Sequence, residues 1–523
     1  MSSSSASTLP APMATAAGSD AVSSSKRPLA GLLGIFLAAM MAGLNNRVGA
    51  LALADVRGAL GFGLDDASWL ITVYGAGELI AMPFAAWFAI TISLRRFELW
   101  MLGVCTGLAL LLPFVHNLNV LLTLRFVQGL AGGTMIPLLM MAALKFLPLS
   151  TRLHGLALYA MTATFAPNLS AWLAGQWTDG WFDWRWIYWQ IVPLAVLAAL
   201  LIGWGLPREP IQTPRFREAN WFGMACGVPA LGLWAIAFDQ GVRLDWFHSP
   251  LITVSLAGGA ILFAAYLFTE WSHPSPFIKL QILGRRNLGL GFTIFLLLLV
   301  TLSSGSLLPN FYLGSIQDYR PMQMAPLGLI VALPQLVLGP CVALLLYQKW
   351  IDARVLFSAG LVLLALACFS GMQLTSAWNR DQFVLAQTLH AVGQPMAVVS
   401  LLFLATSVVQ PIEGPYVSGS INTLRAFGSL AGAALVGQLM TVRSRFHLEM
   451  LLDQSALANN THPTVPATST LTPVFGQQAL VLAIGDTFVV LGLLALLLIP
   501  LVLKLTYIPA PNLSARPPSA SSP

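Results

Sequence analysis

The chain has 523 residues, of which 57% are hydrophobic and 9% charged, with a formal net charge of +6. Soluble domains carry about 25% charged residues, and a soluble fold could not hide apolar runs that recur along the whole length. The composition excludes a soluble enzyme with a greasy core and places the chain in a bilayer, where about 20 apolar residues cross a hydrocarbon layer of roughly 30 Å.

Residues 1–28 are rich in Ser and Ala, end in Lys26, Arg27 and Pro28, and read as a disordered cytoplasmic tail. The first apolar run starts at Leu29 and continues past residue 44, so it reads as a retained helix rather than a cleaved signal peptide. Fourteen transmembrane helices are expected, at 29–53, 68–92, 97–115, 118–146, 153–175, 184–206, 219–239, 250–270, 288–316, 322–347, 354–376, 380–409, 414–441 and 477–505. The connection 442–476 is rich in Ser, Thr, Asn and Pro and reads as an outside loop without a fold of its own. Residues 506–523 read as a second disordered cytoplasmic tail. Cys105, Cys226, Cys341 and Cys368 are scattered through apolar runs and read as small core residues, neither disulfides nor metal ligands.

Two short matches suggest an internal repeat. Leu124-Arg125-Phe126-Val127-Gln128-Gly129 in the fourth span resembles Leu389-His390-Ala391-Val392-Gly393-Gln394 in the twelfth, and Arg96-Phe97-Glu98-Leu99 parallels Arg354-Val355-Leu356-Phe357. Both relate span n to span n + 8. That offset suits an N-terminal six-helix bundle over 29–206, two extra helices with their linkers over 207–287, and a C-terminal six-helix bundle over 288–505. Duplicated halves of this kind hold their substrate between them near the midplane.

Orientation follows from the basic residues. With the N-terminal tail in the cytoplasm, sixteen of the 26 lysines and arginines fall on that side and seven on the other. The remaining three, Arg47, Arg125 and Arg425, lie within spans. Both termini are therefore expected inside, and the net charge is a topology signal rather than a nucleic-acid footprint.

Charged groups within a bilayer cost about 2.5–3.5 kcal/mol each on insertion scales, so they mark buried pairs or water-filled pathways. Asn45, Asn46 and Arg47 are adjacent in the first span and point in three directions, so at least one should face the bundle interior. The alternative is that the helix ends early and Arg47 snorkels to the outer surface, against which the apolar stretch Val48–Ala54 follows. Glu78 lies near the centre of the second span, where a carboxyl suits either a proton carrier or a structural pair with Arg47. Arg125, Gln128, Gly129 and Gly132 share one face of the fourth span, with Gly133 beside them; the glycines allow close helix approach. Asn422, Arg425, Gly428 and Gly432 form a similar stripe in the thirteenth. Asn168, His390, Gln394, Gln335 and Asp486 complete the candidate pathway; Asp486 faces either the second bundle or the outer interface. Pro83, Pro137, Pro167, Pro193, Pro334, Pro340 and Pro395 fall inside spans, where proline kinks helices and frees carbonyls.

These residues resemble the major facilitator superfamily, and most of all its 14-helix drug:proton antiporter branch, the EmrB/QacA type. The resemblance is strongest over 44–195. Leu124 to Gly129 with Gly132 and Gly133 is similar to the fourth-helix motif, whose Arg the resemblance implicates in proton coupling. Ala166-Pro167 with Gly175 is similar to part of the fifth-helix antiporter motif. Trp184-Arg185-Trp186-Ile187-Tyr188 through Pro193 resembles the segment opening the sixth helix, and the Asn422 to Gly432 stripe resembles the thirteenth-helix pattern. Three features depart from the family. Asn45 stands where the first-helix motif carries Asp. The loop before Arg95-Arg96 lacks its acidic residue. Ser170-Ala171 replaces the Gly-Pro pair associated with exporters. Loss of the first-helix Asp leaves Glu78 as the alternative proton site.

The resemblance implies a proton-coupled secondary transporter exporting drugs or other organic compounds by alternating access. It also implies a bacterial inner-membrane location and a periplasmic adaptor as a partner, besides substrate, protons and membrane lipid. Neither an ATP-binding Walker sequence nor a nucleophile–base arrangement is present, so neither ATP hydrolysis nor enzymatic catalysis is expected. No cofactor or metal is expected either. The altered fifth-helix motif motivates one alternative, an importer of an organic anion with the same fold. The missing Asp motivates another, a non-transporting membrane sensor.

Overall fold

The computed structural model describes residues 27–148, 151–461 and 468–511. Residues 1–26 of the expected N-terminal tail, Lys26 included, and Arg516 in the C-terminal one lie outside them, whereas Pro28 already belongs to the first helix. Fourteen long helices run through the described residues. The first seven are α1 (Pro28–Leu51), α2 (Leu64–Ile92), α3 (Leu94–Leu111), α4 (Leu118–Phe146), α5 (Arg152–Gly175), α6 (Ile191–Gly205) and α7 (Trp221–Gln240). They are followed by α8 (Pro250–Ser272), α9 (Arg286–Ile316), α10 (Pro321–Leu346), α11 (Ala353–Ser370), α12 (Val384–Thr406), α13 (Gly414–Thr461) and α14 (Thr468–Leu503). Each overlaps one expected span. Local chemistry sets several starts. Pro28 occupies the first turn of α1, where its missing N–H is not needed. Asn117, Asn220 and Asp352 cap α4, α7 and α11 by accepting backbone N–H bonds from Val120, Gly223 and Arg354.

Among the described residues twelve helices are long and apolar enough to cross a membrane; of the long helices there, α5 and α13 fall short of that apolarity. They are equivalent under the n + 8 relation, and both turn polar side chains towards the seam between the halves: Tyr159 and Thr162 of α5 bond Asn422 and Arg425 of α13.

Helix packing repeats with the same offset. In the first half α1 packs on α4, α5 and α6, α4 on α2 and α3, and α3 on α6. In the second half α9 packs on α12, α13 and α14, α12 on α10 and α11, and α11 on α14. The halves meet along two equivalent seams, α5 against α10 and α2 against α13. The extra helices α7 and α8 pack on each other, and α7 lies against both α2 and α13. Polar contacts fix it there: Asp239 and Gln240 bond Thr72 of α2, and Trp234 and Phe238 pack on Phe427 of α13.

Four expectations need correction. Residues 442–461 continue α13, and α14 already begins at Thr468, so most of the expected loop is helix. The Ser, Thr and Pro of the later part hid the good helix formers of the earlier part, Leu448-Glu449-Met450-Leu451-Leu452. At 48 residues α13 is about 72 Å long, well beyond the roughly 30 Å hydrocarbon layer. Cys341 is exposed on the outside of the bundle, whereas the other three cysteines are buried. Pro193 sits in the first turn of α6, where proline breaks no helical hydrogen bond. Residues 506–511 do not form a loose tail throughout: Asn287 accepts a 2.7 Å bond from the Thr506 backbone N–H and donates to its carbonyl.

One core cluster joins both halves near the face that carries the chain ends, here the tail face; it links Leu144 and Leu147 to Val409 and Val417. Towards the opposite face each half keeps a separate cluster, around Val48 and Leu121 in one and Tyr312 and Phe488 in the other.

A charge pair on the tail face ties the start of α9 to the turn before α13. Arg285 donates two 2.7 Å bonds to the Glu413 carboxylate and a third, of 2.8 Å, to the Val408 carbonyl. Those bonds hold the Glu413 carboxyl below its usual value of 4.5. A depressed carboxyl stabilises the fold fully above its unfolded pKa and ceases to do so as pH falls through the folded value. Glu413→Gln should therefore cost about 1–2 kcal/mol at pH 7. Thermal melts should show the difference from wild type shrinking as pH falls below about 4.

Candidate functional site

The site lies where the two seams enclose space. A cavity of about 320 Å³ is lined by α1, α2, α4, α9 and α13, with Asn46, Arg47, Glu78 and Arg425 among its walls. A smaller space of about 130 Å³ shares Arg47, Leu307, Ser429 and Ala433 with it and adds Asn168 and Gln394. Glu78 is fourteen residues from either end of α2, or about 21 Å of helical rise. It is half-buried, and the surface it keeps faces the cavity.

Glycines bring these groups into register. A side chain at Gly129 would strike the Tyr74 carbonyl, and one at Gly133 would lie 2.5 Å from the Glu78 carbonyl. Helices α2 and α4 therefore touch backbone to backbone, which carries Tyr74 and Glu78 inward. Gly132 receives the Tyr74 hydroxyl, while Gly428 and Gly432 seat α13 against Leu296 and Val300 of α9. Gly175 lies against Met322 of α10.

The Glu78 carboxylate accepts one 3.3 Å bond, from Asn46 Nδ2. Among the described residues no ion pair joins Glu78 to Arg47 or Arg425, so in place of a structural Glu78–Arg47 bridge the carboxylate has the Asn46 bond. Both guanidiniums still act on it electrostatically. Arg47 has no hydrogen-bond acceptor among the described residues. Arg425 donates to the Thr162 hydroxyl at 2.6 Å and to its carbonyl at 2.9 Å. Asn45 is buried and donates to Tyr74 rather than into the cavity.

Arg125 and Gln128 are buried inside the first half, off the cavity. Arg125 donates to Gln128 at 2.7 Å and lies over the rings of Tyr74 and Tyr188, 4.5 and 5.5 Å from their centroids. It therefore reaches the Glu78 helix only through Tyr74. His390, which occupies the n + 8 position to Arg125, contacts Ser304 at 3.3 Å and Gln394 at 3.5 Å. Gln394 in turn accepts from Asn168 at 3.4 Å across the seam, and Pro167 lines the same smaller space. Asp486 is remote: it binds Arg443 and His447 of α13, each at 2.7 Å, in the half facing away from the tails.

The halves touch each other on both sides of the cavity. On the tail side, Ser418, Asn422 and Arg425 present one face of α13, spaced i, i+4, i+7. They bond the Pro137 carbonyl, Tyr159 and Thr162. On the opposite side, Arg320 at the start of α10 binds Asp179 at 2.5 Å and Asp55 at 2.9 Å, and the Met322 N–H donates to Asp179. Sequence reading missed this second group, because Asp55, Asp179 and Arg320 look like ordinary loop charges until the halves are brought together. Their signal was only that each sits at the opposite-face end of a span.

Glu98 was also missed as an interior group. It is fully buried in α3, and neither carboxylate oxygen has a partner. Such a group costs more than it contributes. Glu98→Met, close in volume and able to fill the site, should raise stability by about 1–3 kcal/mol, read as a higher melting temperature in detergent.

Comparisons with known proteins agree with this architecture. The chain is 25% identical over 434 residues to the multidrug export protein EmrB of Escherichia coli K12, covering 80% of this chain and 82% of that one. It is 23% identical over 488 residues to the fatty acid resistance protein FarB of Neisseria gonorrhoeae, covering 90% and 94%. The crystal structure of the peptide transporter POT in complex with sulfate superposes with a TM-score of 0.55 at 16% identity, over 91% of this chain and 95% of that one, a likeness of fold alone. Residues 35–433 match the Major Facilitator Superfamily, and with two packed halves around a central cavity the chain belongs to that family of membrane transporters, which are not enzymes.

Proposed function

We propose that this chain exports small organic molecules across a bacterial inner membrane by proton-coupled alternating access, with Glu78 as the proton-carrying group. The observation that supports it best is the cavity itself: a single carboxylate at mid-helix, between two halves that touch each other on either side of it. Breaking the Arg320 contacts exposes the cavity to one face; breaking the Ser418, Asn422 and Arg425 contacts exposes it to the other. The relatives named for multidrug export and fatty acid resistance favour outward transport over the importer and sensor alternatives.

In this reading α5 and α13 cross the membrane with the other twelve helices, their polar faces turned to the seams. The halves are 29–206 and 288–505, and 207–287 carries the two extra helices. The tail face is cytoplasmic, since it collects most of the basic residues. The kinship with EmrB motivates a periplasmic adaptor, and the projecting ends of α13 and α14 lie on the side where it would meet the chain.

Inverted vesicles with an imposed pH gradient test the reading. Drugs or organic acids should accumulate inside and leave when an uncoupler is added. Glu78→Gln should fold and bind substrate but lose gradient-driven accumulation; normal uphill transport by that variant would remove Glu78 from the proton path. The outer contacts are tested separately. In a background lacking the native cysteines, Ser306→Cys places a thiol in the wall of the smaller space adjoining the cavity. Asp179→Asn should raise its labelling rate by a membrane-impermeant maleimide added from the outside, and an unchanged rate would show that Arg320 does not hold that side closed.

A further inference from the structure

Transport by this cavity leaves the charge of the substrate open, and the inference below rests on that reading of the site. Two cationic side chains line the cavity, one from each half: Arg47 from α1 and Arg425 from α13. Glu78 is the one acidic side chain in the same lining. With Glu78 ionised the walls carry a net positive charge, in a setting where charges interact far more strongly than in water.

Arg47 is the decisive group. A guanidinium presents five N–H donors and no acceptor. In this structure none of them meets a carboxylate, a carbonyl or a hydroxyl among the described residues, although Arg47 lies within a helix that crosses the membrane. Most other arginines deep in the bundle are spoken for. Arg125 has Gln128 and two aromatic rings, and Arg425 has Thr162. Leaving a charge unpaired in such a place is costly unless something else supplies the acceptor. The remaining walls are mostly apolar, with Ile71, Met82, Ile136 and Leu430 around the charged end. A space of this size and lining fits a ring system or a short chain with one polar end.

We propose that the cavity selects amphipathic organic anions, whose carboxylate or other anionic group is held between Arg47 and Arg425 while the apolar body lies along α2, α4 and α13. Glu78 is the resident negative charge that balances the two guanidiniums when the cavity is empty. An entering anion competes with Glu78 for the same positive field and with Thr162 for Arg425. An organic cation meets two like charges and one carboxylate already engaged by Asn46.

The test compares two probes that share a ring system and differ in charge, 2-naphthoate and 2-naphthylmethylammonium, by calorimetric titration of the full-length protein in a neutral detergent. The naphthoate should bind at least about tenfold more tightly than the ammonium. Arg47→Gln should cost about tenfold or more in naphthoate affinity, and Arg47→Lys should restore part of it. Because Arg47 has no hydrogen bond to lose among the described residues, this variant should melt close to wild type, whereas Arg425→Gln also breaks the Thr162 bonds and is the less clean of the two. Glu78→Gln should tighten naphthoate binding by removing the competing charge. Equal or tighter binding of the ammonium, no binding of the naphthoate, or an Arg47→Gln protein that binds naphthoate like wild type overturns the proposal. Failure here is separable from failure of the transport reading. Vesicles that still accumulate neutral or cationic drugs would keep transport and discard the anion preference, and intact naphthoate binding without flux of any compound would do the reverse.

Discussion

A charge inside a bilayer must find a partner, water or a ligand, and the arrangement of this protein follows from how few places offer one. Arg47, Glu78 and Arg425 all lie within long helices, and all three open onto the space between the halves. Arg125 takes the other available solution, burying its guanidinium against Gln128 and two tyrosine rings. Helices α5 and α13 bond each other through polar side chains at the seam, and these two, in equivalent positions of the two halves, are the long helices least suited by composition to lipid.

The same constraint shapes the seams. Two helix bundles in lipid gain little from hydrophobic contact with each other, so close backbone approach and hydrogen bonds have to hold them. Gly129 and Gly133 supply the first kind of contact within one half, pressing α4 on α2 so that Tyr74 and Glu78 are set by backbone rather than by flexible side chains. Ser418, Asn422 and Arg425 supply the second kind between halves. Hydrogen bonds of this sort are individually worth about 0.6 kcal/mol in membrane proteins, with larger values near 1–2. A few of them close a seam without locking it, which suits a cavity that has to open to each side in turn.

The family resemblance and the departures from it are reconciled by the geometry. Asn45, which stands where related chains carry an acid, is buried against Tyr74 and does not face the cavity. The neighbouring Asn46 does, and it holds the carboxylate one helix away. In the proposed reading the acidic group sits on α2 instead of α1, within reach of the same cavity. The Arg125 motif keeps its place but speaks to Glu78 only through the Tyr74 ring.

Much of this was legible in the residues alone. Long apolar runs of membrane-crossing length determine the helices, since a backbone in lipid has no other way to satisfy its N–H and C=O groups. The n + 8 matches anticipated the repeated packing, and Arg47, Glu78 and Arg425 stood out because charge is rare in such runs. What local sequence could not carry was pairing at a distance. The expected loop 442–476 concealed the continuation of α13 because its composition was averaged over a helix and a Pro- and Thr-rich stretch. Asp55, Asp179 and Arg320 are separated by more than a hundred residues, and nothing in any of their neighbourhoods distinguishes a contact between halves from a loop charge. That Glu78 is bonded to Asn46 and not to Arg47, and that Arg47 is left without a partner, were likewise decided only by tertiary structure. The choice depends on side-chain direction and separations of a few ångströms, which hydropathy and spacing do not encode.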